Sequence, residues 1–502
     1  MAVEPHWLVF CNMKILLVSP RTPDTFWSFK HALHFVSRRA CMAPLGLLTV
    51  AATLPSDWEL KLVDLNVRRL KEQDLRWADF VLLGAMIVQK ESAREIAARC
   101  AAAGKTVIAG GPLFTTGHED FPDLHHFVLG EAEEVMPQVV EDLRRGNLQP
   151  LYRAENRPDI TRSPAPRWDL IKFRHYVTMS VQFSRGCPFD CEFCDITVMN
   201  GRAPRTKTPA QLIAELEGLR QRGWNEMVFI VDDNFIGNKE RTKELLRALV
   251  EWRSRTRTGM GFLTEASMNL ADDAELCALM VQAGFRKVFV GIETPSIEAL
   301  TECHKLQNRN RNLVASVQTL QRAGMEVMGG FIVGFDSDKS DIFKRQFEFI
   351  QRSGVVTAMV GLLTALPQTR LWHRLKREGR LVSESSGNNT DAALNFQPRM
   401  NRESLQRGYR ELMKRLYEPR NYYQRIRTFL TSHRPTGPRR RLSRADLMAF
   451  LKSCWALGIW HRGRAGYWRL FWSTLFRRPR QFPKAMELAI LGYHFRRVAG
   501  KL

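Results

Sequence analysis

Arg185-Gly-Cys-Pro-Phe-Asp-Cys-Glu-Phe-Cys194 follows directly on a strand-like run at residues 178–184. Cys187, Cys191 and Cys194 form a C-x3-C-x2-C array, and thiolates spaced this way can converge on one soft metal centre. The remaining cysteines (11, 41, 100, 277, 303 and 454) show no partner spacing. An odd and scattered set of nine excludes a disulfide scaffold. Two metals fit the array. A structural zinc ion takes four ligands, and Cys303 or His304 could supply the missing one. A cubane [4Fe-4S] cluster normally takes four thiolates, so three leave one iron free to bind and activate a ligand. Spacing and placement at a strand's C-terminal end favour the open cluster.

Working outward, strand-like segments at 178–184, 227–232, 261–266, 287–292, 327–333 and 358–364 alternate with helical spacing. They predict a partial (β/α)6 barrel over residues 176–390. Chemistry is then expected where these strands end. Thr208, Pro209 and Gln211 mark a capped helix start. Upstream, strand-like runs at 14–20, 60–64, 80–86, 106–111 and 127–130 alternate with helical spacing at 43–53, 91–103 and 131–144. This predicts a Rossmann-like α/β domain over residues 1–149, its parallel sheet covered on both faces. Its ligand edge lies where the strands end, at Gly110-Gly111-Pro112 and Gly130-Glu131. Four prolines mark residues 150–175 as a linker, and residues 391–502 read as a basic, mainly helical domain with a loop at 436–441.

The chain has 502 residues, 44% hydrophobic and 25% charged, an ordinary globular balance that excludes a disordered chain. Its net charge of +23 is concentrated at one end. Residues 401–502 carry 24 Lys/Arg against 5 Asp/Glu, leaving only +4 for the first 400 residues. The longest apolar run, 355–366, falls short of the roughly 20 residues that a membrane span needs. The first residues lack the basic start and long apolar run of a signal peptide, so a cytoplasmic protein is expected.

The cysteine loop resembles the radical SAM enzymes, whose motif C-x3-C-x-aromatic-C is matched by Cys187, Cys191, Phe193 and Cys194. That resemblance implies that the three cysteines hold the cluster. The open iron binds S-adenosylmethionine, Phe193 packs near the adenine, and reductive cleavage yields a 5′-deoxyadenosyl radical. Val231-Asp-Asp-Asn-Phe235, Thr264-Glu-Ala-Ser267, Phe289-Val-Gly-Ile-Glu-Thr294, Gly329-Gly-Phe-Ile-Val-Gly334 and Leu366-Pro-Gln-Thr369 resemble strand-end motifs of the cobalamin-binding subgroup. By that likeness Glu293, Gly330 and Gly334 lie beside S-adenosylmethionine, although Glu293 could equally be a barrel-mouth carboxylate with a structural partner. Asp232 and Asp233 are substrate or cofactor contacts or loop caps, and capping is expected of one.

Ala43-Pro-Leu-Gly46, Asp64-Leu-Asn-Val67, Gly110-Gly-Pro112 and Gly130-Glu-Ala-Glu133 resemble the subgroup's cobalamin domain. They imply cobalamin contacts at Asp64, Asn66, Gly110 and Gly111. The cobalt-ligating Asp-x-His-x-x-Gly pattern is absent, so His31, His34, His118, His125 and His126 are expected to be ordinary residues. The tail, with Leu416-Tyr-Glu-Pro-Arg-Asn-Tyr-Tyr423 and residues 482–495, is similar to the group that includes the hopanoid C-2 methylases. The resemblance implies a cobalamin-dependent C-methyltransferase acting on an unactivated carbon of a lipid-like or natural-product substrate, fed by an external electron donor. Competing expectations are a cyclase or hydratase acting on a tetrapyrrole or natural product, and a zinc-stabilised nucleic-acid-binding protein.

Three fates compete for the basic tail: a solvated face, nucleic acid, or a membrane surface. Residues 434–502 carry 16 Lys/Arg and 2 Asp/Glu, interleaved with Trp455, Trp460, Trp468 and Trp472. Aromatic residues among cations suit an anionic lipid interface, where each basic residue is worth about 1 kcal/mol. Peripheral membrane contact is favoured over nucleic acid.

Overall fold

The computed structural model describes residues 12–388, 390, 392–436 and 444–502. Strands β1 (Lys14–Ser19), β2 (Ala40–Met42), β3 (Glu59–Asp64), β4 (Phe80–Gly84), β5 (Thr106–Gly110), β6 (His126–Leu129) and β7 (Leu151–Arg153) arise in the N-terminal third. All but β2 form one sheet in the order β3-β1-β4-β5-β6-β7, with every pair parallel. Period-2 alternation serves two cores. Leu16 and Val18 face one, while Ile15 and Leu17 face the other. The proline-rich stretch read as a linker is not wholly outside this sheet. It supplies β7, whose Tyr152 hydroxyl donates to Asp142 Oδ2 at 2.8 Å.

The second sheet contains β8 (Tyr176–Val181), β11 (Met227–Ile230), β12 (Gly261–Ala266), β13 (Phe285–Glu293), β14 (Glu326–Val333) and β15 (Ala358–Leu362). A short antiparallel pair, β9 (Ser184–Arg185) and β10 (Arg205–Thr206), lies beside it. The sheet order is β15-β14-β13-β12-β11-β8-β2, parallel throughout. All six expected barrel strands form. The seventh, β2, crosses from the N-terminal domain and pairs Ala40 with Tyr176. Three residues are too few to display a period, so this strand had no sequence signal. Helix Pro209–Gln221 starts at the expected box, with Gln211 N–H donating to Thr208 Oγ1 at 3.2 Å and Thr208 N–H to Gln211 Oε1 at 3.0 Å.

The barrel is open at β15, and the basic tail covers that edge. From helix Arg402–Tyr417, Tyr409 Oη donates to Val360 O at 3.1 Å and Tyr417 Oη donates to Ala358 O. Arg425, on helix Pro419–Ser432, is fully buried and donates to Gln351 Oε1 (2.8 Å) and Leu416 O (3.0 Å). The last helix, Phe482–Ala499, reaches the N-terminal domain through His494. The His494 Nε2–H donates to Thr25 O at 3.1 Å, while Nδ1 accepts the His31 N–H at 3.4 Å. Burial holds His494 down to about 4, so the ring is neutral. One hydrophobic core therefore runs through barrel and tail. Of the loop expected at 436–441, only Thr436 lies within the described residues.

Candidate active site at the cysteine loop

The loop after β8 is drawn tight by its neighbours. Phe183 N–H donates to Asp232 Oδ1 at 2.7 Å, and Ser184 bonds Asp232 Oδ2 through its N–H (2.9 Å) and hydroxyl (2.7 Å). Asp233 Oδ2 accepts from Gly186 N–H at 2.8 Å and from Asn200 Nδ2 at 2.9 Å. Both carboxylates are therefore loop caps, where the sequence led us to expect one. Burial pushes Asp232 up to about 7 despite these bonds. Gly186 stands at φ +98°, and a Cβ there would lie 2.9 Å from Ala203 O. Cys187 N–H closes the turn on Gly201 O at 3.1 Å.

Cys187, Cys191 and Cys194 emerge on this one loop, half-buried or buried, and burial raises all three thiols. Lys305 opposes that rise at each sulfur. Asn234 Nδ2 points at Cys187 Sγ (3.8 Å) and Gln307 Nε2 at Cys191 Sγ (4.0 Å). Among the described residues, no set of three or more His, Cys, Asp or Glu is drawn together as the ligands of a single ion. A cubane's thiolates stand further apart, because the cluster itself fills the space between them. The donor set fits: three thiols, two amide donors aimed at sulfur, and one buried cation. Gln307 Oε1 is a buried acceptor with no protein donor, which also fits a site meant for a further group.

The barrel strands bring the other expected residues to the same mouth. Phe193 packs on Phe335, just beyond β14, with ring centroids 6.3 Å apart. Gly334 takes φ +106°, and its N–H donates to Asp338 Oδ2 at 2.8 Å. A Cβ on Gly330 would lie 2.8 Å from the Phe289 ring. Glu293 ends β13 at φ +66°, after a register shift against β14, and its Oε1 accepts from Lys305 Nζ at 2.8 Å. Glu293 thus has the structural partner weighed as one alternative. A Cβ on Gly291 would meet that lysine at 2.7 Å.

Asp64, Asn66, Gly110 and Gly111 sit at the strand ends of the first sheet. Asp64 is buried and accepts from Asn66 N–H (2.9 Å), Asn66 Nδ2 (2.8 Å) and Tyr176 Oη (3.1 Å). Asn66 Oδ1 accepts Thr22 N–H at 2.9 Å, so both side chains hold loops of that edge. Gly111, at φ +96°, approaches Ala85 O closely enough that a Cβ would lie at 2.9 Å. Gly130, at φ +77°, leaves open space where a side chain would stand. The absence of a side chain at Gly130 leaves room at this edge for a bound group. Two of the five histidines have polar partners within the protein: His126 Nδ1 lies 2.9 Å from Gln149 O, and His31 Nε2 lies 3.4 Å from Asp24.

Tertiary structure fastens this edge to the cysteine loop. Arg185 bonds Glu131 and Glu133, each at 2.6 Å, and Arg205 adds a second bridge to Glu131 at 2.5 Å. Arg185 holds Glu133 below the usual carboxylate range. Lys305, Gln307 and Glu265 were not singled out as site residues. Trp27 was missed as well; it enters the barrel from the N-terminal domain, stacked at 6.0 Å on Phe229 and 5.0 Å from Phe289. Their neighbours come from distant strands, so local spacing could not reveal them.

Comparison with known proteins agrees with this geometry. Residues 34–140 match the B12 binding domain, residues 181–374 the Radical SAM superfamily, and residues 369–502 a domain of unknown function (DUF4070). The chain is 42% identical over 489 residues to an uncharacterized methyltransferase of Synechocystis sp., spanning 96% of this chain and 91% of that one. It is 35% identical over 481 residues to the hopanoid C-2 methylase of Rhodopseudomonas palustris, spanning 93% and 89%. Its fold resembles TsrM from Kitasatospora setae, a radical S-adenosylmethionine methyltransferase solved with cobalamin and a [4Fe-4S] cluster, at TM-score 0.63 and 14% identity, spanning 95% and 99%. It also resembles OxsB, solved with aqua-cobalamin and S-adenosylmethionine, at TM-score 0.63 and 14% identity, spanning 96% and 79%. The zinc-stabilised nucleic-acid-binding alternative finds no support. The chain belongs to the cobalamin-binding radical SAM enzymes, in the group that includes the hopanoid C-2 methylases.

Proposed function

We propose that this enzyme transfers a methyl group to an unactivated carbon of a lipid-like or natural-product substrate. The observation that carries the reading is the meeting of two strand-end edges. The glycine edge of the first sheet is clamped, through Arg185, to the loop that holds Cys187, Cys191 and Cys194. A radical generated at one edge and a methyl donor held at the other would then address one substrate. The high identity to methylase and methyltransferase relatives supports methyl transfer over the cyclase alternative.

In this reading Cys187, Cys191 and Cys194 hold the cluster, and Phe193 borders the adenine. Glu293 and the Gly330–Gly334 stretch line the S-adenosylmethionine site, with Lys305 fixing the orientation of Glu293. Gly110 and Gly111 let the backbone approach cobalamin, while Asp64 and Asn66 keep the neighbouring loops in place. When bound, these cofactors supply hydrogen abstraction and a transferable methyl, neither of which side chains can provide. An external donor supplies the electron. We place the enzyme in the cytoplasm, peripheral at a membrane surface through its basic C-terminal helices.

The test is anaerobic reconstitution with iron, sulfide and cobalamin, followed by a search of lipid extract for products heavier by CH2. Replacing any one of the three cysteines by Ala should abolish both that product and 5′-deoxyadenosine. Undiminished 5′-deoxyadenosine from such a variant would falsify the site assignment.

A further inference from the structure

Among the described residues, eight of the thirteen large apolar side chains that stand exposed fall within residues 447–476. Six lie on helix Arg444–Trp455 and the π-turn Ala456–Trp460 that follows, with Trp460 73% exposed. Leu447, Leu451 and Trp455 recur every four residues, a single stripe along that helix. On helix Arg464–Arg477, Trp468, Trp472 and Phe476 repeat the spacing. Trp472 and Phe476 stack at 5.7 Å, with Phe476 75% exposed. The two helices are packed together, Phe450 on Phe471 at 5.9 Å.

A soluble surface rarely concentrates large apolar side chains in this way, and such a patch marks an interaction site. Its surroundings identify the partner. Arg462, Arg464, Arg469, Arg477 and Arg480 are exposed, with no carboxylate partner among the described residues. Glu487, one of only two acids after residue 433, is already bound by Lys287 and Lys484. Indoles flanked by unpaired guanidinium groups match the interface of an anionic bilayer, apolar below and phosphate above. No described helix is long and apolar enough to cross a membrane. Two short helices lying in the interface can nonetheless bury their stripes there.

We propose that helices Arg444–Trp455 and Arg464–Arg477, with the π-turn between them, form a face that inserts into an anionic lipid surface. This deepens the lipid-like substrate reading and rests on it only for its purpose. The face is also tied to the N-terminal segment that packs on Phe229 and Phe289. Lys452 Nζ donates to His34 O (2.9 Å) and Ser37 Oγ (3.0 Å), at the end of the segment whose Trp27 stacks inside the barrel. Residues 27–37 thus connect the lipid-facing helices to the aromatic rings of Phe229 and Phe289.

Flotation of the full reconstituted enzyme with vesicles tests this, using phosphatidylcholine alone and phosphatidylcholine with phosphatidylglycerol. The wild type should float with the mixed vesicles. A Trp455→Gln, Trp460→Gln, Trp472→Gln, Phe476→Gln variant should lose at least tenfold in partitioning. An Arg464→Glu, Arg469→Glu, Arg477→Glu variant should lose the preference for phosphatidylglycerol. All these sites are exposed, and circular dichroism would check that the folds are kept. Equal partitioning of wild type and the glutamine variant would overturn the proposal. So would a wild-type dimer that this variant abolishes without either form binding vesicles, or stronger binding to an oligonucleotide than to the mixed vesicles. Uncoupled 5′-deoxyadenosine formation, measured in parallel, reports the radical chemistry separately. If it persists while flotation fails, only the docking face is lost.

Discussion

Glu265 lies on β12, one strand over from the Asp232 and Asp233 caps, and burial pushes it up to about 8, with Asp233 adding to the rise and Lys305 opposing it. The sign of the resulting pH dependence follows from linkage. Below about pH 4 the folded and unfolded chains both carry this proton. As pH rises toward 8, the unfolded chain has released it and the folded chain retains it, so stability falls through that window. Glu265→Gln removes the contribution. Its melting temperature should therefore decline less than that of the wild type between about pH 5 and about pH 8. Parallel thermal unfolding curves across that range would contradict this account. Glu265 falls within the strand-end motif Thr264-Glu-Ala-Ser267, yet its surroundings are not legible there. They come from β11 and from the Lys305 turn, 40 residues away in the chain.

At the scale of elements, the unpaired edge of β15 explains part of the tail's composition. Backbone carbonyls on a buried sheet edge need donors. Tyr409 and Tyr417, two turns apart on one helix, provide them for Val360 and Ala358. Tyr409→Phe and Tyr417→Phe should each cost about 1–3 kcal/mol, because each leaves a buried carbonyl without its donor. Urea denaturation would measure the loss, and a change below a few tenths of a kcal/mol would show that the edge is satisfied another way. The helix start at Thr208 was legible because a capping box is local. The β2 strand was not, since its three residues pair only through a neighbour more than 130 positions away.

On the scale of the whole molecule, the clamp between the two strand-end edges is the feature on which coupled chemistry depends. Arg185, Glu131 and Glu133 are all largely buried, with side-chain exposures of 14%, 9% and 8%. Arg185→Gln leaves Glu133 buried without its cation, a change worth about 3–5 kcal/mol. The variant should keep the absorption bands of cluster and cobalamin while yielding severalfold less methylated product per 5′-deoxyadenosine. Arg185→Lys should recover part of that ratio. An unchanged ratio in Arg185→Gln would mean that the clamp serves stability alone.

The sequence by itself determined the two parallel-sheet domains and the cysteine triad, because strand periodicity and ligand spacing are encoded within short windows. It also determined the basic, aromatic character of the tail. Only the tertiary structure decided that Glu131 and Glu133 grip the cysteine loop, that Lys305 pairs with Glu293, and that the tail both closes the barrel and presents an apolar face outward. Those relations join residues far apart in the chain, and burial in the folded molecule is what selects their partners.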